Sequence, residues 1–425
     1  MGLKIAVVGG GSTYTPELVQ GFAARAGRLP VDELVLFDVD PERLRVVGGL
    51  ARRMLERAGL GGRLAVTGRR DEALDGADFV IVQLRVGGQA QRLADETLSL
   101  EFGCIGQETT GPGGFAKALR TVPVVLELAE ETARRAAPGV WLVDFTNPVG
   151  IVTQALLDQG HRAIGLCNVA IGLQRLLAAQ FEVESERVEL EHVGLNHLSW
   201  VRAVRVDGVD RLPELLERDW DAQMIATEVQ LPVGLLRLLG AIPSDYLRYY
   251  YLTSEVLEEQ RRGSVRAEEV IAIERQLLSL YRDPALDTKP ALLERRGGAL
   301  YSEAAAQLIA SLHAGTGDVQ VVDVRNDGSL PDLEAGAVVE VPARIDAAGA
   351  HPLPLGALAP ELLGLVQVVK AYEHLTVEAA RTGDRAVALK ALLTNPLVRE
   401  YQLAVPLLDA LLEGSRAHLP RFFPG

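Results

Sequence analysis

The sequence predicts an α/β chain: a doubly wound parallel sheet over residues 1–167, then a second, helix-rich α+β domain over 168–425. Three observations predict it. Short β-branched runs alternate with helical stretches along the first 166 residues. A glycine-rich turn, VVGGGSTYTPELV, joins the first run to the first helical stretch. After about residue 168 the alternation gives way to long helical patterns. Strands that alternate with helical patterns form βαβ units, and so a parallel sheet.

The first strand, 4–8, runs into the glycine turn, and a helical pattern follows over 17–26. A second strand, 33–37, precedes the amphipathic stretch 41–58. Strands over 63–67 and 79–83 come next. Two segments, QLRVGGQAQRLADE from Gln83 and GQETTGPGG from Gly106, then predict loops from their glycine and proline content. A helix over 116–136, a strand over 140–143, a helix over 149–157 and a strand over 163–166 complete the alternation. GLCNVA leads on into a helix over 171–180. Beyond it, 189–206 alternates as one bent β-segment with a turn at Asp207-Gly208. Helical patterns cover 213–218, 222–239, 245–260, 267–282, 302–313 and 360–380. A strand pair near 319–324 and 337–341 interrupts them, with RNDGSLPDL as the loop between. No internal repeat or low-complexity linker intervenes, which predicts a continuous crossover between the two domains.

Bulk properties exclude several classes. At 425 residues the chain is long for one domain, and its 48% apolar content is ample for large cores. No apolar run approaches the ~18 residues of a membrane span, so no membrane partner is expected. The start, MGLKIAVVGGGS, turns directly into the glycine loop and lacks the apolar core of a secretory signal. Two cysteines cannot build a disulfide framework, and a cytoplasmic location is expected. A net charge of −14 repels phosphate backbones, which argues against nucleic acid. An anionic substrate would need a local cationic pocket.

The glycine turn points to a dinucleotide. Gly9 and Gly11 permit the tight turn and close backbone approach that a pyrophosphate needs. Ser12 and Thr13 complete the loop, and the helix N-terminus behind them offers N–H groups and positive dipole charge. Tyr14 stands where the usual fingerprint has a third glycine. LVLFDVD ends the second strand on Asp38, whose carboxylate can accept from ribose hydroxyls and would repel a 2′-phosphate. NAD is therefore expected over NADP. A plain strand–turn–helix corner is the bland alternative.

Ligands of such sheets bind beyond the carboxyl ends of the strands. Arg85, Asn147 and Cys167 all fall at such ends, and the predicted loops carry Arg92 and Glu108 along the same edge. GLNH places His197 farther on. A thiolate and an imidazole can hold a divalent metal. They can equally be a packed cysteine and a satisfied core histidine, or a nucleophilic pair. DYLRYYYL clusters Tyr246, Tyr249, Tyr250 and Tyr251, and a phenol can act as a base where cations lower its pKa. Arg266 opens a predicted helix, where a cation opposes the helix dipole. It makes more sense beside a bound anion shared with Ser264 and free N–H groups. That motivates a phosphate on the substrate, although Glu268 and Glu269 can also compensate the charge.

These motifs together resemble glycoside hydrolase family 4, the NAD- and metal-dependent glycosidases. The matching stretches are GGGSTYTPEL, LRVGG, GQETTGPGG, TNP, CNVA, GLNH and RAEEV, spread over residues 9–275. The resemblance implies that Cys167 and His197 hold a divalent metal, usually manganese, and that Tyr246 is the base. It implies that Arg92 and Arg266 contact substrate and phosphate, and that Asn147 and Asn168 contact the sugar. Glu108 is expected beside the cofactor. Asn168-Val169 after the cysteine is similar to the phospho-β-glucosidases, with Ala170 in place of their proline. The expected substrate is a phosphorylated glycoside and the expected assembly a homodimer or homotetramer. The implied reaction oxidises C3 of the sugar, removes the C2 proton, eliminates the aglycone and adds water, an exception to two-carboxylate glycosidases. The alternatives are an α-glycosidase or unphosphorylated-sugar enzyme of the same family, a lactate- or malate-type dehydrogenase, and a non-catalytic NAD-binding regulator.

Overall fold

A computed structural model describes residues 2–296 and 300–424. Its strands are β1 (Leu3–Val8), β2 (Val31–Phe37), β3 (Leu64–Thr67), β4 (Phe79–Val82), β5 (Trp141–Asp144), β6 (Ala163–Gly165), β7 (Val188–Leu195), β8 (Leu198–Val206), β9 (Val209–Asp210), β10 (Ile242–Pro243), β11 (Asp318–Arg325), β12 (Val338–Asp346) and β13 (Gly349–Pro352). Among the described residues the main sheet has nine strands in the order β13-β12-β11-β6-β5-β4-β1-β2-β3. Its first six strands in sequence are parallel, in the doubly wound order 3-2-1-4-5-6. The central strand β4 (FVIV) is buried along its whole length and β1 nearly so, while β3 at the edge is mostly half-buried.

The sheet does not stop at residue 167. Asp323 of β11 pairs antiparallel with Gly165 of β6, and β12 and β13 add beyond it. A smaller sheet, β10-β8-β7 with β9 on β8, stands over this extension, where β7 packs on β12.

Several local expectations change. Residues 189–206 form a hairpin rather than one bent segment, with the two-residue connection Asn196-His197 between β7 and β8. His197 is at φ 60, a left-handed conformation that costs a non-glycine residue about 1 kcal/mol. QAQRLADE is not a loop but most of the helix Gly88–Glu101, and GPGG begins the helix Gly111–Arg135. The stretch 222–239 divides into Asp219–Val229 and Val233–Leu239, because Pro232 has no N–H to give and disfavours helix at Leu231. The stretch 245–260 divides too, at Leu252, whose φ of −125 and ψ of 37 leave the helical region. Among the described residues no helix is long and apolar enough to cross a membrane.

Candidate active site

The carboxyl ends of β1, β2, β4, β5 and β6 open on one cavity of about 1310 Å³. Gly9, Ser12, Asp38, Arg92, Glu108, Asn147, Asn168, Tyr246 and Arg266 all line it, drawn from both halves of the chain.

At one end lies the glycine turn. Gly9 has φ 92, and a Cβ there would come within 2.6 Å of the Gln83 carbonyl oxygen. A Cβ on Gly11 would meet Asp38 Oδ2 at 2.8 Å. Instead the Gly11 N–H donates to that oxygen over 2.8 Å, and the Asp40 N–H donates to Asp38 Oδ1 over 3.0 Å. Both bonds hold the carboxylate at the end of β2, in the cavity wall. The helix Thr15–Ala24 begins at this turn with its positive dipole end toward it, although its first N–H groups are already engaged, Thr15 on the Ser12 carbonyl and Glu17 on that of Tyr14, and Pro16 has none.

Thr13 departs from the expected cofactor contact. It is fully buried, its hydroxyl donates to Glu274 Oε1 over 3.3 Å, and its carbonyl accepts from the Tyr281 hydroxyl over 2.8 Å. Glu274 also binds Gln89, Arg43 and Arg296. Burial would raise its carboxyl, but Arg296 and Arg43 outweigh burial and hold it at about 2.

The middle of the cavity is cationic. Glu108 is gripped by Arg85, by Lys117 Nζ at 2.8 Å and by Arg92 Nη1 at 3.2 Å. Burial pushes Glu108 up, yet Arg85, Lys117 and Arg92 prevail and hold it well below the usual carboxylate range. Arg92 Nε donates to Glu96 Oε1 over 2.7 Å, and Glu96 Oε2 accepts from the Ala267 N–H over 2.8 Å. This corrects the expectation of free N–H groups beside Arg266, since a carboxylate already occupies one of them. Arg266 itself has a side chain 43% exposed, ion-paired with Glu269 and donating to the Arg295 carbonyl over 3.0 Å.

Cys167 and His197 are 4% and 6% exposed and do not line the cavity themselves, whereas their neighbours Asn168, Tyr246 and Tyr301 do. The Tyr301 hydroxyl donates to Cys167 Sγ over 3.9 Å. The His197 ring stacks on Tyr246. Burial pulls His197 down to about 4, so the imidazole is neutral at pH 7, the form that ligates metals. Burial, then the charge of Glu340, pushes the Cys167 thiol up. Tyr246 runs against expectation: neighbouring cations do not lower it. Burial first, then Asp245, pushes its phenol well above the ordinary value. Glu340 supports the His197 turn, accepting from Asn196 Nδ2 over 3.1 Å and lying 3.2 Å from His192 Nε2.

The residues present fit both groups the motifs imply. The turn, the uncapped helix and Asp38 suit a dinucleotide. Cys167 and the neutral His197 suit a borderline divalent cation, and Asn147 Oδ1 is buried nearby in the cavity wall without a hydrogen-bond partner among the described residues. Among the described residues no group of three or more His, Cys, Asp or Glu side chains could hold a metal ion, so a cation on Cys167 and His197 would keep positions open for substrate oxygens. Lys117, Glu96, Glu274 and Tyr301 are additions the sequence did not suggest. Lys117 lies in a mainly apolar helix, Glu96 ends a segment expected to be a loop, Glu274 sits in an ordinary helical pattern, and Tyr301 falls just before one.

Comparison with known proteins covers most of the chain with two family models. A family model described as "Family 4 glycosyl hydrolase" matches residues 4–183, and "Family 4 glycosyl hydrolase C-terminal domain" matches 192–398. A probable 6-phospho-beta-glucosidase of Bacillus subtilis is 43% identical, over 99% of this chain and 98% of its own. The 6-phospho-beta glucosidase of Thermotoga maritima, solved with NAD and glucose-6-phosphate, superposes with a TM-score of 0.93 at 35% identity, covering 98% of this chain and 99% of the other. A second structure of that protein, with manganese, NAD+ and glucose-6-phosphate, gives 0.91 at 35% identity over the same shares, 98% and 99%.

Proposed function

This chain belongs to family 4 of the glycosyl hydrolases, and from that premise we propose that it is an NAD- and divalent-metal-dependent 6-phospho-β-glucosidase. The observation that carries the reading is the grouping of Cys167, His197, Tyr246 and Tyr301 at the strand edge that also holds the glycine turn. The full-length likeness to proteins named 6-phospho-β-glucosidases supports the substrate class.

Bound NAD and a bound divalent cation, manganese by likeness to the Thermotoga maritima protein, supply reversible hydride acceptance and a Lewis acid. The chain's residues do the rest. Gly9, Gly11 and the N-terminus of the helix Thr15–Ala24 seat the pyrophosphate, and Asp38 takes the ribose. Cys167 and His197 are the metal ligands. Asn147 and Asn168 orient the sugar, and Arg92 and Arg266 receive its 6-phosphate. Glu108 fixes Arg92 at the cavity wall. With NAD+ as acceptor C3 would lose hydride while its hydroxyl proton passes to solvent, and the resulting ketone makes the C2 proton acidic. Tyr246, ionised beside the bound cation, would accept that proton on its phenolate oxygen, the C1–O bond breaks, and the aglycone leaves with a proton taken from water. Water then adds across C1 and C2, and hydride returns to C3, so the sugar shows no net redox change. Burial keeps the Tyr246 phenol protonated in the chain alone, so its use as a base requires positive charge beside it.

The test is a panel of nitrophenyl glycosides with and without a 6-phosphate, in both anomeric forms, with NAD+ and manganese under reducing conditions in deuterated water. Turnover of the phospho-β-glucoside with deuterium at C2 of the product is expected. Turnover without any deuterium at C2 would refute the elimination, and accumulation of NADH would favour a simple dehydrogenase.

A further inference from the structure

A buried carboxylate from the C-terminal half sits against the cofactor turn, and no step of the proposed reaction uses it. Glu274 lies on the helix Arg266–Tyr281 with its side chain 5% exposed. Its Oε2 accepts from Arg43 Nη1 over 3.2 Å, while Oε1 accepts from Arg296 Nε and Gln89 Nε2, each over 3.0 Å. Arg43 also donates from Nε to the Gly11 carbonyl over 3.2 Å. Its Cβ lies 3.2 Å from where a Gly11 Cβ would stand, beside the Asp38 carboxylate.

In doubly wound sheets, an acidic residue after the second strand accepts from the ribose 2′-hydroxyl of NAD, whereas an arginine nearby accommodates the 2′-phosphate of NADP. This chain has both. Asp38 ends β2, and Arg43 lies in the first turns of the following helix, Pro41–Arg57. The guanidinium, however, is already engaged on two of its nitrogens. We propose that Glu274 is a specificity-determining residue for the cofactor: it holds Arg43 against the glycine turn and so denies a 2′-phosphate its cationic partner. Two carboxylates then act against the extra phosphate. Asp38 repels it, and Glu274 occupies the cation that would receive it. The inference rests on the reading of this cavity as a dinucleotide site.

Equilibrium binding of NAD+ and NADP+ to the full-length protein, measured by calorimetry, tests it without relying on turnover. Glu274→Gln keeps an acceptor for Arg296 and Gln89 but loses the charge that retains Arg43. NADP+ should bind about tenfold tighter than to the wild type, as one charge-assisted hydrogen bond allows, with NAD+ little changed. Adding Arg43→Ala should erase the gain. Glu274→Asp is the second variant: it keeps a charge for the buried Arg296, but is too short to span to Arg43 as well. It should shift the ratio in the same direction and hold the fold if the glutamine does not. An unchanged ratio in a variant that melts cooperatively overturns the proposal. So does an equal gain for both dinucleotides, or a gain that survives without Arg43. If the wild type binds neither dinucleotide, the proposed function falls and this inference with it. If NAD+ binds and the ratio does not move, only this inference falls.

Discussion

The imidazole of His197 lies flat on the phenol of Tyr246, with ring centroids 3.6 Å apart and planes 5° from parallel. One ring belongs to the proposed metal ligand and the other to the proposed base. Neither can rotate without disturbing its partner. The turn that presents His197 is held from behind by Glu340, through Asn196.

Tyr246→Phe preserves the stack and removes the hydroxyl. Turnover should fall by about 10²–10⁴-fold, the usual worth of a positioned acid or base. Affinity for NAD+ should stay close to that of the wild type. Steady-state kinetics alongside a binding titration would check this, and wild-type rates in the phenylalanine variant would exclude Tyr246 as the base.

Cys167→Ser replaces a thiol that can bind the cation as an anionic thiolate with a hydroxyl that stays neutral at pH 7. Manganese affinity, followed by electron paramagnetic resonance of the free ion, should drop sharply while NAD+ still binds. Activity should be lost in step. Full metal affinity in the serine variant would remove Cys167 from the ligand set.

Arg266 is exposed enough for truncation to leave the fold intact. Arg266→Ala should lower kcat/KM on 6-phosphorylated substrates by about tenfold or more, the worth of a hydrogen bond between charged groups. Unphosphorylated glycosides should be affected far less. Equal losses on both would mean that no phosphate sits there.

Glu274 also gives a pH signature. Its folded-state value of about 2 lies below its ordinary 4.5, so the charged form favours the folded chain. That stability is present above about pH 4.5 and is lost as pH falls toward 2. The full shift corresponds to on the order of 3 kcal/mol. The gap in melting temperature between wild type and Glu274→Gln should therefore be widest near neutrality and narrow on acidification. A gap that ignores pH would mean that the charge contributes nothing.

The parallel strands were legible because their apolar runs are bounded by turns, and the glycine turn and Asp38 because their chemistry is local. The helix Gly88–Glu101 was hidden for a physical reason. Its buried positions are Arg92, Asp95, Glu96 and Ser99, so the face it turns inward is polar. A search for apolar periodicity reads such a face as solvated. The same blindness covers Lys117, buried on Glu108, and Glu274, buried on two arginines. Glu274 meets Arg43 across 231 positions of sequence, so neither partner signals the other. The Asn196-His197 turn was missed because its alternation continues through it, so two strands looked like one.

The antiparallel pairing of Gly165 with Asp323 has a consequence for synthesis on the ribosome. The nucleotide-binding half leaves the exit tunnel first, but β6 then presents a bare edge, with nothing to close it until the distant β11 emerges. An excised N-terminal fragment would keep that sticky flank permanently and would tend to self-associate. Residues 1–167 alone would therefore be an incomplete sheet and a poor freestanding dinucleotide module for protein engineering.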